Sequence, residues 1–281
     1  MILAVNIRDN AVFLAARGAQ DESPRFFQFD IGMDILGEGI DASSIWNYAD
    51  DSIKKIYSDA EKIVLGIPAP ICFAKRLELD ARLYKEKADY RRWQAAVQLP
   101  GNPCDYEFGF IPLTNSFNGA KKETVFFAAP LGKIEKLTYA VLLDKAPDSV
   151  MKVPEQIALV ELLVKSISKD DISQAAIVHV EKSYIVAIVI KDARFYRGRV
   201  FLTPTADEGE FVSDIQTFLM SIASADEPLP LLITGRTEEF RIEWSPVIPA
   251  FLNIKELDFG ISWGLLEFVL TGGRCELSAE S

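Results

Sequence analysis

The sequence is poor in histidine and cysteine, and it has no long apolar run. One of its 281 residues is histidine (His179), and the three cysteines, Cys72, Cys104 and Cys275, are widely spaced. This pattern is neither a disulfide framework nor a paired zinc motif, so we expect no metal site and a reducing compartment. No uninterrupted apolar stretch reaches the roughly 18 residues of a membrane-spanning helix, so we predict no membrane span.

Residues for nucleophilic catalysis are also scarce. A serine–histidine pair could use only His179, and the position of His179 at the end of an apolar stretch favours a structural turn residue over a catalytic base. The N-terminus is strand-like and is interrupted early by Arg8 and Asp9, which argues against a signal peptide. We therefore expect a cytoplasmic protein without catalytic residues.

Acidic residues outnumber basic ones, 41 to 30, which gives a formal net charge of −11 and an isoelectric point near 4.8. Such a surface repels nucleic acid and anionic lipid unless a local basic patch offsets it. We interpret the short clusters Arg91-Arg92 and Arg194/Arg197/Arg199 as solvated faces. We therefore expect no nucleic-acid partner.

Hydrophobic patterning predicts a mixed α/β chain. Two strands joined by a tight turn open it at residues 2–7 and 11–16, and the continuous apolar run 62–67 is typical of a buried strand. Apolar residues at helical spacing predict helices over 81–99 and 261–270. The other predicted elements are strands at 25–31, 72–79, 106–112 and 124–129, and helices at 43–58 and around 134–141, 157–167 and 212–222.

The opening pattern returns later in the chain. The pattern of residues 177–201 predicts strand, turn, strand, turn, strand. When the two segments are aligned without gaps, Asn6 corresponds to His179 and Arg8 corresponds to Glu181. The identity is slight, but the apolar pattern and the turn length agree. A hairpin-led α/β unit that occurs twice predicts two lobes of similar fold with a cleft between them.

Three long segments resemble the PilM family of type IV pilus assembly proteins, which have an actin-like fold. They are "KIVLGIPAPICFAKRLELD", "YRRWQAAVQLPGNPCDYEFGFIPL" and "ETVFFAAPLGKIEKLTYAVLLDKAPDSVMKVPEQIALVELL". The resemblance implies a duplicated actin-like (ribonuclease H-like) two-lobed α/β fold with an inserted α+β subdomain. It puts lobe I at residues 1–160, with the insert at about 76–143, and lobe II at 161–281. In one arrangement the last helix packs back on lobe I.

The two predicted hairpin turns lack the residues with which actin-like ATPases bind phosphate. In that fold each turn reads Asp-x-Gly, because glycine lets backbone N–H groups approach phosphate and aspartate organises Mg²⁺. Asn6 and Arg8 take these places in the first turn, where Phe13 replaces a lysine, and His179 and Glu181 take them in the second. The resemblance thus implies degenerate phosphate turns.

A third nucleotide-contacting element, a strand end near adenosine, keeps Gly235 but continues with Arg236. Because so many positions are replaced, we expect no ATP hydrolysis and no ATP or Mg²⁺ cofactor. The alternative is an atypical ATPase or sugar-kinase relative that has recruited Asp9 or Asp192. A nucleotide-dependent filament protein is a further alternative, and the same replacements count against it.

The resemblance also implies a function. PilM docks the N-terminal tail of PilN, a bitopic inner-membrane protein, in a groove beside the inserted subdomain. The related cytoplasmic domain of GspL binds a secretion ATPase, and the polar ending "CELSAES" leaves open a soluble domain of a longer, GspL-like protein. We therefore expect a non-catalytic scaffold that reaches the inner membrane through a partner. The predicted groove walls are Leu77, Leu79, Trp93, Phe126 and Phe127.

Overall fold

The structure is a computed structural model, and it describes residues 1–8, 10–31, 45–113, 120–142, 150–166, 174–202, 208–222, 229–235, 251–252, 260–273 and 276–277. These residues form three β-sheets and seven α-helices. None of these helices is long and apolar enough to cross a bilayer.

The strands and helices alternate along the chain. In order, the strands are β1 (Ile2–Arg8), β2 (Ala11–Arg17), β3 (Arg25–Asp30), β4 (Lys62–Ile67), β5 (Phe73–Asp80), β6 (Tyr106–Pro112), β7 (Lys121–Pro130), β8 (Val150–Pro154), β9 (Gln174–Val180), β10 (Tyr184–Lys191), β11 (Arg194–Leu202), β12 (Leu231–Gly235), β13 (Phe251–Leu252) and β14 (Glu276–Leu277). The helices are α1 (Asp51–Asp59), α2 (Ala81–Glu86), α3 (Ala88–Gln98), α4 (Leu131–Val141), α5 (Glu155–Ser166), α6 (Glu208–Met220) and α7 (Gly260–Leu270).

Two five-stranded sheets repeat the same topology, and each defines one lobe. Lobe I has the order β3-β2-β1-β4-β8, and lobe II has the order β11-β10-β9-β12-β13. In each lobe an antiparallel hairpin pairs with a third antiparallel strand on one side and with parallel strands on the other. The duplicated fold predicted from the sequence is therefore confirmed.

The strand register shows that the repeat is in step at the residue level. Asn6 pairs with Phe13 across the β1–β2 hairpin, and His179 pairs with Val186 across the β9–β10 hairpin. His179 follows Asn6 in the sequence by the same number of residues as Val186 follows Phe13. The same spacing aligned the two turns in the sequence analysis. Equivalent side chains of the two turns therefore occupy equivalent places in the two lobes.

The inserted subdomain is a four-stranded sheet in the order β14-β6-β7-β5, with α2 and α3 packed beside it. Its core is aromatic, with Tyr84, Phe108, Phe110 and Phe126 in mutual contact. The sheet starts at Phe73, three residues before the start inferred from the resemblance, and it also includes β14 from the far end of the chain. Helix α4 shares its apolar face with the core of lobe I.

Helices α5 and α7 pack against each other at the centre of the molecule. A side-chain Cβ at Gly264 in α7 would lie 1.9 Å from the carbonyl oxygen of Ala158 in α5, so only glycine permits this helix–helix distance. Helix α7 also contacts β1, β2 and β4, and Ser262 Oγ donates a hydrogen bond of 3.0 Å to the Phe13 carbonyl. The last described helix therefore completes the packing of lobe I.

Two predicted helices differ from those observed. The stretch predicted as one helix over 81–99 is two helices, because the backbone at Lys87 is extended, with a φ of −130°. The helix predicted over 43–58 begins only at Asp51, where the Asp50 side chain accepts the Ile53 N–H at 2.9 Å as an N-cap. Apolar spacing alone did not reveal the break or the cap.

Candidate functional site

The two hairpin turns face each other across the cleft, and their side chains form a buried ion pair. Arg8 ends β1 in lobe I, and Glu181 follows β9 in lobe II. Arg8 Nη1 contacts Glu181 Oε1 in a salt bridge, and both side chains are almost completely buried. The two residues at the places where the resemblance implies glycine therefore bind each other and join the lobes.

His179 extends this pair into lobe II. Its Nε2 lies 2.7 Å from Glu181 Oε1, and its Nδ1 lies 2.7 Å from Thr234 Oγ1 on the neighbouring strand β12. His179 and Thr234 are both fully buried. The lone histidine thus has a structural partner on each ring nitrogen, in agreement with the structural interpretation of its sequence position.

Burial sets the ionisation of the histidine, and polar contacts set that of the glutamate. Burial lowers the pKa of His179 and outweighs the opposing effect of Glu181. Burial would raise the pKa of Glu181, but the hydrogen bond from His179 and the charge of Arg8 lower it overall. At neutral pH a neutral His179 therefore donates through Nε2–H to an ionised Glu181 and accepts from the Thr234 hydroxyl.

Phe13 covers the cation of this network. The Arg8 guanidinium carbon lies 3.7 Å from the centroid of the Phe13 ring, which is a close cation–π contact. Phe13 is at the place where the resemblance implies a lysine, and here its ring packs on the Arg8 cation. The first turn is thus adapted to an internal carboxylate, with Arg8 as its cation.

Asn6, the counterpart of His179 in lobe I, lies in a different environment. It is fully buried, and neither its amide nitrogen nor its amide oxygen has a hydrogen-bond partner among the described residues. Gly66 lies beside it on β4, where an added Cβ would be 3.3 Å from Asn6 Oδ1. Lobe I therefore has a glycine where lobe II has Thr234, and the asparagine lacks the partner that the histidine has.

A second buried carboxyl group, that of Glu155 at the start of α5, also joins the lobes. Its Oε2 accepts the Ala69 N–H from lobe I at 2.8 Å and the Tyr184 hydroxyl from lobe II at 2.9 Å. Burial raises the pKa of Glu155 to about 7, against the lowering effect of these two hydrogen bonds. Its Oε1 has no partner among the described residues. Sequence reasoning missed Glu155, because nothing marked it among 41 acidic residues.

The third predicted element, the end of β12, is only partly described. Gly235 has a φ of +84°, and an added Cβ would lie 2.1 Å from the Val180 carbonyl oxygen, so glycine is required by close packing there.

Arg236 and Asp9 lie outside the described residues. Asp192 lies in the turn after β10, at the opposite end of that strand from Glu181 and roughly 25 Å away at about 3.3 Å per residue. Recruitment of Asp192 into the cleft, one of the stated alternatives, is therefore wrong.

The described residues contain no cluster of three or more histidine, cysteine, aspartate or glutamate side chains that could hold a metal ion. They do contain a G-x-S-x-G string, at 260–264, which sequence reasoning overlooked. Its Ser262 lies inside α7, is fully buried and donates to a backbone carbonyl, so it is not an exposed nucleophile at a strand–helix turn. This string therefore has a packing role.

An apolar groove opens between the inserted subdomain and lobe II, with a cavity volume of about 830 Å³. Its walls come from residues 69–74, the end of α3, the end of β7 and residues 198–200 of β11. Both β5 and β11 are edge strands of their sheets. Gln156 also lines the groove; its Nε2 donates to the Cys72 carbonyl at 2.9 Å, and its buried Oε1 has no partner among the described residues.

None of the five predicted groove walls lines this groove. Leu79, Phe126 and Phe127 are buried in the core, and Leu77 is half-buried against the subdomain core. Trp93 is 59% exposed on α3, away from the groove lining. Groove walls at Leu79, Phe126 and Phe127 are therefore wrong, because these strand residues fill the core instead. A partner contact by Leu77 or Trp93 stays a prediction.

The duplicated sheets, the crossing helix α5 and the subdomain inserted in the first repeat define the actin-like ATPase fold. The PilM–PilN type IV pilus biogenesis complex contains a chain similar to this one, with a TM-score of 0.63, 13% identity and coverage of 96% of this chain and 98% of that chain. The cytoplasmic domain of EpsL, an inner-membrane component of the type II secretion system of Vibrio cholerae, is also similar, with a TM-score of 0.51, 11% identity and coverage of 96% and 94%.

A protein of unknown function with an actin-like ATPase fold from Bacteroides thetaiotaomicron is similar as well, with a TM-score of 0.59, 11% identity and coverage of 94% and 95%. A comparison with protein-family models finds no match, and a comparison with curated proteins finds none either. At these identities the similarity establishes the fold. The PilM-like, actin-like architecture inferred from the sequence is confirmed.

Proposed function

We propose that this protein is a non-catalytic scaffold of a type IV pilus or type II secretion assembly platform at the inner membrane. The observation that carries the proposal is the buried Arg8–Glu181 salt bridge between the two turns. The Glu181 carboxylate pairs with Arg8, the cation that the first turn contributes. The negative charge of Glu181 opposes the entry of a negatively charged nucleotide phosphate beside it. The lobes are therefore held together without ATP or Mg²⁺.

The scaffold acts by docking an extended apolar segment in the groove beside the inserted subdomain. The occupant is the cytoplasmic tail of a PilN-like bitopic membrane protein, through which the chain stays peripheral to the membrane. Two features favour such a segment: the groove is lined mainly by apolar side chains, and the strand edges of β5 and β11 flank it. Gln156 adds a polar side chain to this lining, which is otherwise mainly apolar. A secretion or pilus ATPase is a second partner of the same platform.

A titration with the tail peptide of a PilN-like protein tests the docking step. We expect Ala74→Trp to weaken binding at least about tenfold, because the indole would fill a groove that the half-buried Ala74 now lines. Thr217→Trp, on the exposed side of α6 in lobe II, serves as the matched control and should bind as the native chain does. Equal affinity of all three chains in fluorescence anisotropy would show that the groove is not the docking site.

The alternative function is an actin-like ATPase or sugar-kinase relative with an atypical phosphate site, since the fold is shared with such enzymes. Thermal unfolding in the presence of Mg-ATP or Mg-ADP separates the two functions. A nucleotide at 100 times its dissociation constant would stabilise the folded chain by about 2.7 kcal/mol. We expect no shift; a shift that disappears when Mg²⁺ is removed would reject the scaffold proposal in its non-catalytic form.

A further inference from the structure

Helix α3 presents aromatic and aliphatic side chains to solvent on its outward face. Trp93 and Val97 are each 59% exposed and lie four residues apart, so they are neighbours on one side of the helix. The ring of Tyr90 stacks on Trp93 with 6.1 Å between centroids and fixes its orientation. The opposite side of the helix is in the subdomain core, through Ala95 and Leu99. The outward face is thus a rigid apolar strip.

Basic residues are concentrated in α2, in α3 and between them, in a chain that is otherwise acidic. Residues 81–98 contain five basic and two acidic side chains, a net charge of +3, so the rest of the chain carries −14. The basic residues are Arg82, Lys85, Lys87, Arg91 and Arg92. Of the two acidic residues, Glu86 forms an exposed pair with Arg82 at 3.1 Å, and Asp89 opens α3. Arg91 and Arg92, interpreted from the sequence as a solvated face, therefore belong to a cluster of five basic residues.

We propose that this face of α2 and α3 binds the surface of an anionic membrane directly. Tryptophan and tyrosine beside an apolar strip are suited to the boundary between headgroups and acyl chains, and flanking lysine and arginine side chains are attracted to anionic headgroups. The uneven distribution of charge also orients the protein on the membrane, because the acidic remainder of the chain is repelled from the anionic surface. The face is separate from the docking groove, so this inference does not depend on the proposed function.

The membrane-binding face lies on the same helix that contributes to the groove, so membrane binding would bring the groove close to the bilayer. Gln98 and Leu99, at the end of α3, line the groove, whereas Trp93 and Val97 lie on the outward side of the same helix. A tail that emerges from a bilayer would therefore enter the groove close to the membrane-facing helix. Direct binding of lipid would hold the groove within reach of a short tail and raise its effective concentration there.

Cosedimentation of the full chain with phosphatidylcholine vesicles, with and without phosphatidylglycerol, tests the proposal. We expect binding that requires phosphatidylglycerol and falls with salt, because the attraction is electrostatic. Arg92→Glu should reduce partition at least about tenfold, at roughly fivefold for each unit of charge. Trp93→Ala should reduce it about tenfold through lost apolar contact. Tyr48→Ala and Lys55→Glu, exposed changes in lobe I, are the matched controls and should bind as the native chain does.

Three results would overturn the proposal. One is the absence of binding to phosphatidylglycerol vesicles at low salt. Another is binding that Arg92→Glu and Trp93→Ala leave unchanged, which would place the lipid contact elsewhere. The third is a concentration-dependent dimer of the native chain in sedimentation velocity that Trp93→Ala abolishes without any effect on lipid binding, which would mean that a second copy covers the face. Thermal unfolding of each variant confirms that it is folded, as expected for exposed positions.

Discussion

Lobe I and lobe II carry the same hairpin and the same neighbouring strand, but the polar residue at the end of the first strand has a different environment in each. In lobe II, His179 is bonded to Thr234 and Glu181. In lobe I, Asn6 lies against Gly66, and its amide has no partner among the described residues. The comparison teaches that equivalent places of the two repeats differ: lobe II surrounds its polar residue with a bonded network, whereas lobe I buries an amide that has no partner among the described residues.

The largest effect should come from breaking the ion pair that joins the two halves. Arg8→Met removes the cation and leaves the buried carboxylate of Glu181 with His179 alone, so we expect a loss of about 3–5 kcal/mol in the free energy of unfolding by urea. The double variant Arg8→Met with Glu181→Met should recover most of this loss, since no buried charge remains unpaired.

The control for that experiment is Arg76→Met. Arg76 and Glu123 also form a pair, at 2.6 Å, but about a quarter of each side chain is exposed, so solvent screens the charges and the loss should stay below about 1 kcal/mol. Equal losses in the free energy of unfolding for Arg8→Met and Arg76→Met would show that the salt bridge between the lobes does not stabilise the fold. The bonded network of lobe II would then have no special energetic role.

The next effect concerns Glu155, which contacts both lobes. Its pKa is raised from 4.5 to about 7, so its contribution to stability is fully present below pH 4.5 and is lost as the pH rises through 7. The difference between the two pKa values corresponds to about 3 kcal/mol. Glu155→Gln keeps the size and removes the titration, so the stability of the native chain relative to this variant should decline between pH 5 and about pH 8.

His179 makes stability change with pH in the opposite direction, but it is present in both the native chain and the Glu155→Gln variant. Its pKa is lowered by burial, so its contribution is present above about pH 6.5 and falls as the solution becomes more acidic. The difference between the native chain and Glu155→Gln cancels this effect and isolates the carboxyl group. A difference that stays constant with pH would mean that Glu155 is ionised across the whole range in the folded chain.

The smallest and most direct test of the comparison uses one substitution in each lobe. His179→Leu should destabilise the chain by about 1–3 kcal/mol, because Glu181 and Thr234 each lose a buried hydrogen-bond partner. Asn6→Leu should leave stability unchanged or raise it by about 1 kcal/mol, because no described hydrogen bond is lost and a buried amide is removed. Equal losses in the two variants would show that Asn6 has a partner as His179 does.

The sequence predicted the fold well because the fold depends on pattern. The spacing that aligned the two turns in the sequence also relates the observed strand pairs, since the length of a hairpin turn fixes the register of its strands. The departure of the two turns from the Asp-x-Gly pattern was equally visible, and the loss of phosphate binding that it implies stays a prediction. The partnership of Arg8 with Glu181 was not visible, because a sequence gives no distance between side chains that lie in different halves of the chain.

The surfaces were predicted poorly for a related reason. Phe126 and Phe127, predicted as groove walls, are both fully buried. Phe126 belongs to the core of the subdomain, and Phe127 belongs to the larger core that α5 and strands of both lobes share. The groove is lined instead by short segments from several elements, including residues 198–200 of β11, which meet only after the lobes have packed. Gln156 carried no sequence signal, since an unpaired side-chain oxygen is a property of the folded surroundings.

The contacts of α7 with β1 and β2 have a consequence for the order in which the molecule is made. On the ribosome the first hairpin emerges about 240 residues before the helix that covers it, and β14 reaches β6 only after a further 10 or so. Contacts of such sequence separation slow folding and leave apolar surface open while synthesis continues. The face of the N-terminal hairpin that packs on α7 therefore stays uncovered until α7 has been synthesised.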